Sequence, residues 1–197
     1  MTRTNKERAS KSTLRIIGGQ WRGRKLSFTP AEGLRPTPDR VRETLFNWLA
    51  PSIQGARCLD LFAGSGALGL EALSRGAASC DFVDTSTAVL REIGHHLQTL
   101  HCPVPAHCHA TPALAFLHSA RGKYDIVFLD PPFGKGLLDP VCAQLAAADL
   151  VAKDGLIYVE TALRAADINP QPSWRLHREK VAGEVRYRLF TPGEASR

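Results

Sequence analysis

Between residues 57 and 160 the chain alternates short apolar runs with longer segments of helical periodicity, and few architectures accommodate that rhythm. Strands are expected at residues 57–62, 79–83, 104–108, 124–129 and 155–160, the third being the weakest. Helices are expected between them at 67–75, 86–100, 112–120 and 137–148. Strands separated by helices pair in parallel and bury both faces, so the expectation is an α/β fold with a mostly parallel, doubly wound, Rossmann-like sheet. The end of the chain breaks the pattern. Residues 174–181 and 185–190 flank Gly183-Glu184 and read as a C-terminal antiparallel hairpin.

Upstream, Val41, Leu45, Trp48 and Leu49 recur at helical spacing over residues 40–49, with Asp39 or Thr37 as the expected cap. Residues 30–38 form a connector punctuated by Pro and Gly. Before it, Ile16, Ile17, Trp21, Leu26 and Phe28 surround Gly18-Gly19 and suggest a small β-hairpin. The expected organisation is a basic tail over 1–13, a basic hairpin and connector over 14–36, one catalytic domain over 37–192, and a tail over 193–197.

Charge is distributed unevenly. Residues 1–28 carry eight basic groups against Glu7 alone, a balance of +7, while the remaining 169 residues carry 17 basic and 18 acidic groups. A near-neutral body with a basic extension is the footprint of a protein that meets polyphosphate. With 197 residues and 44% hydrophobic content the chain can bury one sizeable core. It lacks an apolar run of the roughly 18 residues that a membrane span requires, and a cytoplasmic protein without membrane contact is expected. Five scattered cysteines read as reduced thiols. The His101-Cys102 and His107-Cys108-His109 cluster has no second cluster at zinc spacing, so no metal is expected.

Two segments carry chemistry. Residues 60–69 (DLFAGSGALG) end the first strand and open the following helix, where open parallel sheets bind ligands. The pattern G-x-G-x-x-G is shared with nicotinamide enzymes, and Asp84, 20 residues after Gly64, could hold a ribose in either case. Asp60 tilts the choice, because a carboxylate beside the glycines suits a cationic ligand such as S-adenosylmethionine and repels a pyrophosphate. The second segment is Asp130-Pro131-Pro132-Phe133, directly after an apolar strand. Two prolines stiffen the chain and remove two donors, leaving the carboxylate and nearby carbonyls as acceptors for an amino group. Phe133 offers a face on which a planar base can stack.

An Asp-Pro-Pro-aromatic signature is that of amino-group methyltransferases. Together with RIIGGQWRGRKL at 15–26, LRPTPDRVRETLF at 34–46 and the Asp60 loop, it resembles the RsmD family, bacterial 16S ribosomal RNA guanine-N2 methyltransferases, over residues 14–190. The resemblance implies a Rossmann-like S-adenosylmethionine-dependent methyltransferase fold, with S-adenosylhomocysteine as product and no metal. It places Asp60, Phe62, Gly64 and Gly66 beside the methionine part of the cofactor, with Thr37 also at that ligand, and Asp84 on the ribose. His109-Ala110 stands where relatives usually have an Asp-Ala pair that contacts adenine. Asp130, Pro131, Pro132 and Phe133 would hold the guanine. Arg15, Arg22, Arg24, Lys25, Arg35 and Arg40 would contact RNA, with Arg22, Arg24 and Lys25 as the leading phosphate contacts. The expected partner is 16S ribosomal RNA in an assembling small subunit, met by a monomer. The target base must be unpaired or flipped. Three rivals remain at this level: a DNA adenine or cytosine amino-methyltransferase, a nicotinamide-dependent oxidoreductase, and an RNA-binding module without catalysis.

Overall fold

A computed structural model describes residues 12–29, 37–165 and 173–193; Arg35 lies outside them. Strands β1 (Ser12–Arg15) and β2 (Lys25–Phe28) pair antiparallel around a 3-10 turn at Gly19–Trp21. Ser12 and Thr13, assigned to the tail from sequence, pair with Phe28 and Ser27. Backbone pairing needs no apolar side chain, so the pattern did not reveal it.

Then follow α1 (Asp39–Leu49), β3 (Arg57–Asp60), α2 (Ala67–Ser74), β4 (Ser79–Asp84), α3 (Thr87–Thr99) and β5 (Ala106–Ala110). The second half holds α4 (Ala113–Ser119), β6 (Tyr124–Leu129), α5 (Leu138–Ala147), β7 (Val151–Ala162), β8 (Trp174–Ala182) and β9 (Val185–Pro192). The expected helices and strands are all present, with shifted ends. The weak strand lies two residues later than expected, and β7 begins four residues earlier.

The seven-stranded sheet has the order β5-β4-β3-β6-β7-β9-β8. Its first five strands run parallel, and β9 and β8 close it as an antiparallel hairpin. Alternating side chains feed two cores. Cys58, Ile126 and Phe128 pack with α1, α2 and α3 on one face, while Leu59, Val127 and Leu129 pack with α4 and α5 on the other. After β3 the chain builds outward to β5 and then returns to place β6 against β3 on its other side. That reversal opens a crevice at the carboxyl ends of β3 and β6.

The N-terminal hairpin is part of the first core. Leu14, Ile16, Trp21, Leu26 and Phe28 are buried together with the apolar faces of α1 and α2. Glu71 of α2, completely buried, accepts the backbone N–H groups of Ile17 and Gly18 at 2.8 Å each, and Arg75 Nε at 2.7 Å. Ser74 Oγ accepts from Trp21 N at 3.0 Å and donates to the Gly18 carbonyl at 2.6 Å. Gly19 sits at φ +75°, where a Cβ would lie 1.8 Å from the Ser74 carbonyl oxygen, so only glycine fits this approach.

Helix α1 departs from the capping expectation. Pro38 occupies the N-cap position, and no side chain caps the helix. Asp39 instead accepts from Arg15 at 3.0 Å and from buried Arg42 at 2.6 Å. Burial works against the Asp39 charge, but these guanidinium groups hold its carboxyl below the usual range.

Candidate active site

The crevice is a cavity of about 840 Å³ at the carboxyl edge of the sheet, within the range typical of cofactor pockets. Its upper wall is the loop between β3 and α2. Gly64 and Gly66 take φ of +48° and +76°, which lets the backbone turn from strand to helix within a few residues. Gly66 serves that turn without lining the cavity, whereas Asp60, Phe62 and Gly64 line it. Asp60 Oδ2 accepts the N–H of Gly69 at 3.0 Å, tying the strand end to the helix. Burial, opposed by that hydrogen bond, pushes the Asp60 carboxyl up to about 7.

Asp84, at the end of β4, also lines the cavity. Its Oδ2 accepts from Gly64 N at 3.0 Å and its Oδ1 from Ser86 N at 2.8 Å, so the carboxylate is oriented before any ligand arrives. His109 is not brought to the site. Its Nε2 lies 2.7 Å from Asp81 Oδ1, and its ring packs on Phe116 at 4.8 Å between centroids. Tyr124 donates to the same Asp81 at 2.9 Å. Ala110 borders a different groove, against α3, and the residues that reach the cavity at this strand end are Thr111, Pro112 and Ala113.

The floor is formed by residues 130–133, which follow β6. Phe133 is 47% exposed at the mouth, unusual for a large aromatic and suited to stacking. Thr37, nearly fully buried, donates its hydroxyl to Asp130 Oδ2 at 3.1 Å. Burial and the charge of Glu160 push the Asp130 carboxyl well above the usual carboxylate range, with the Thr37 bond opposing. Glu160 lines the same cavity, is 4% exposed and accepts from the Tyr158 hydroxyl at 2.7 Å. Burial raises its carboxyl too. Sequence reasoning missed Glu160, although a lone acid closing the apolar run 155–159 was a usable signal.

The basic residues divide. Arg40 lines the cavity, as does Arg164, which was not foreseen. Arg22, Arg24 and Lys25 are exposed on the hairpin, away from the cavity, and Arg15 is paired with Asp39. Among the described residues no group of His, Cys, Asp and Glu is arranged to hold a metal, and no helix is long and apolar enough to cross a membrane.

A glycine loop after β3 and an Asp-Pro-Pro-Phe loop after β6 face each other at the switch point of a sheet with the Rossmann-like fold of methyltransferases. The chain belongs to the family described as Conserved hypothetical protein 95, whose model matches residues 14–191. Among its curated relatives, Ribosomal RNA small subunit methyltransferase D of Escherichia coli strain K12 is 51% identical over 90% of this chain and 89% of its own length. The protein of that name from Haemophilus influenzae is 45% identical over 92% of this chain and 95% of its own. The solved structure of yhhF from Escherichia coli superposes with a TM-score of 0.86 at 47% identity, covering 93% of this chain and all of that one.

Proposed function

We propose that the protein transfers a methyl group from S-adenosylmethionine to the N2 amino group of a guanine in small-subunit ribosomal RNA, in the cytoplasm. One observation carries the reading: Asp130-Pro131-Pro132-Phe133 and the Asp60 loop share a single cavity. The chain's similarity to proteins named for methylating ribosomal RNA of the small subunit supplies the substrate class.

The cavity fits the cofactor. Asp60 and Asp84 line it beside the glycine loop, and their carboxyl oxygens suit the ammonium group and ribose hydroxyls of S-adenosylmethionine and disfavour the pyrophosphate of a nicotinamide cofactor. Asp60, Phe62 and Gly64 would hold the amino-acid end and Asp84 the ribose. S-adenosylmethionine, when bound, supplies a methyl group already activated on cationic sulfur.

The chain's own residues position the amine. Asp130 and the Pro131 carbonyl accept its two hydrogens, which leaves the nitrogen lone pair free to attack. Phe133 stacks on the extruded base, and Arg40 and Arg164 meet the phosphates on either side. Asp130, made basic by burial and by Glu160, takes the proton that the nitrogen loses as the new C–N bond forms. Arg22, Arg24 and Lys25 form a second phosphate contact, and a monomer acts on RNA within an assembling subunit.

The test is tritium transfer from labelled S-adenosylmethionine to unmethylated small-subunit RNA and subunits, with DNA in parallel, followed by nucleoside analysis. N2-methylguanosine from RNA alone is expected. Label in DNA instead makes the protein a DNA amino-methyltransferase and overturns the reading.

A further inference from the structure

Resting on a guanine target, we propose that Glu160 is the residue that selects guanine, accepting the N1–H of the base whose amino group Asp130 holds. Strands β6 and β7 pair in parallel with Phe128 opposite Tyr158 and Leu129 opposite Val159. Continuing that register sets Asp130 beside Glu160 at the carboxyl edge, about one strand spacing, ~4.8 Å, apart. Both carboxylates line the cavity. Tyr158 donates to Glu160 Oε2 at 2.7 Å, and among the described residues Oε1 receives no hydrogen bond.

The chemistry of the three amino-bearing bases makes this pair discriminating. Guanine presents N1–H and the two N2 hydrogens side by side, an edge made only of donors. Adenine and cytosine place a ring-nitrogen lone pair next to their amino group. With both acids ionised, the floor formed by Asp130, the Pro131 carbonyl and Glu160 offers only acceptors, Tyr158 spending its hydroxyl hydrogen on Glu160 and Thr37 its own on Asp130. Guanine satisfies every group, whereas adenine or cytosine sets a lone pair against a buried carboxylate. An Asp-Pro-Pro-aromatic loop grips any amino group, so the choice of base falls to the neighbouring strand. Arg40, Asp60, Asp84, Arg164 and Glu184 are the other charged side chains at this cavity, and none belongs to β6 or β7.

The test uses 2-aminopurine, which keeps the 2-amino group but carries a bare lone pair at N1. Wild-type protein first locates the methylated guanine on small-subunit ribosomal RNA. RNA ligated to carry either guanine or 2-aminopurine at that position is then compared for kcat/KM with wild type and Glu160→Gln. The expected wild-type preference for guanine is at least about 100-fold. The Gln amide can donate to N1, so the variant is expected to lower that preference at least about tenfold, with unchanged affinity for S-adenosylmethionine. Should Glu160→Gln fail to fold, Tyr158→Phe, which removes only the donor that holds Glu160 as an acceptor, reads the same ratio and is expected to lower it about threefold or more. Equal transfer to both bases by wild type, or a preference that Glu160→Gln leaves intact, overturns the proposal. Failure of wild type to methylate guanine at all instead removes the proposed function, so the two failures are separate.

Discussion

Thr37 and Asp130 lie 93 positions apart in the chain, yet the Thr37 hydroxyl donates to Asp130 Oδ2 at 3.1 Å. This bond favours the ionised acid, while burial and Glu160 oppose ionisation. Replacing Thr37 with Val removes the donor, so the Asp130 carboxyl should rise further. The acid limb of the pH–rate profile is expected to move to higher pH. A limb that stays in place would show that ionised Asp130 is not required for turnover.

Asp130→Ala removes the acceptor for the amine without touching the glycine loop. Turnover should fall at least about 100-fold, the scale seen when one polar group aligned with the reacting centre is deleted. Binding of S-adenosylmethionine, followed by calorimetry, should stay close to wild type. Normal turnover in this variant would sink the mechanism.

The cavity acids also make stability depend on pH. Burial raises the folded-state Asp60 carboxyl from 3.8 to about 7, and Asp130 and Glu160 are raised as well. An acid raised on folding binds its proton more tightly in the native state, so stability declines as pH climbs through the interval between the two values. His96, whose imidazole is lowered by burial, opposes this trend below its ordinary 6.5. The cofactor-free protein should therefore lose melting temperature between pH 6.5 and 7.5, and Asp60→Asn should flatten that decline. A melting temperature that rises over this interval in the wild type contradicts the assignment.

Glu71→Ala takes the carboxylate partner from Arg75 and from two backbone N–H groups of the hairpin, and leaves buried Arg42 with Asp39 and the Arg15 carbonyl. Breaking a buried ion-pair cluster in this way costs about 3–5 kcal/mol, to be measured by denaturant unfolding. A loss below about 1 kcal/mol would mean that apolar packing alone seats the hairpin.

Because the hairpin supplies core residues, deleting it would confuse RNA affinity with folding. The cleaner variant replaces Arg22, Arg24 and Lys25 with Ala, all exposed on the hairpin. If each meets a phosphate, the slope of log affinity against log salt should shrink by about 0.7 to 0.9 per contact, with the fold intact. An unchanged slope would move the RNA contact elsewhere.

The sheet and its helices were legible because burial on both faces imposes continuous apolar strands, and amphipathic helices repeat at their own period. The two cavity loops were legible for a similar reason: glycine and proline are local instructions, written where the backbone must turn or stiffen. His109 lies off the cavity because side chains alternate along a strand. Its position beside Val83 aims the imidazole at Asp81, a partner that no local pattern reveals. Glu160 and Arg164 were missed because their meaning depends on which strand lies next to β6.

What the sequence determined by itself was therefore local: the succession of elements, the two loops that carry chemistry, and the excess of positive charge near the N-terminus. Tertiary structure decided which strands became neighbours. It placed Asp130 near Thr37 and Glu160, and it turned a basic hairpin into part of the core through Glu71. The physical reason is that periodicity and turn chemistry act over a few residues, whereas a carboxylate's basicity and a hairpin's seat are set by groups up to 93 positions away, which only the closed fold brings within a few ångströms.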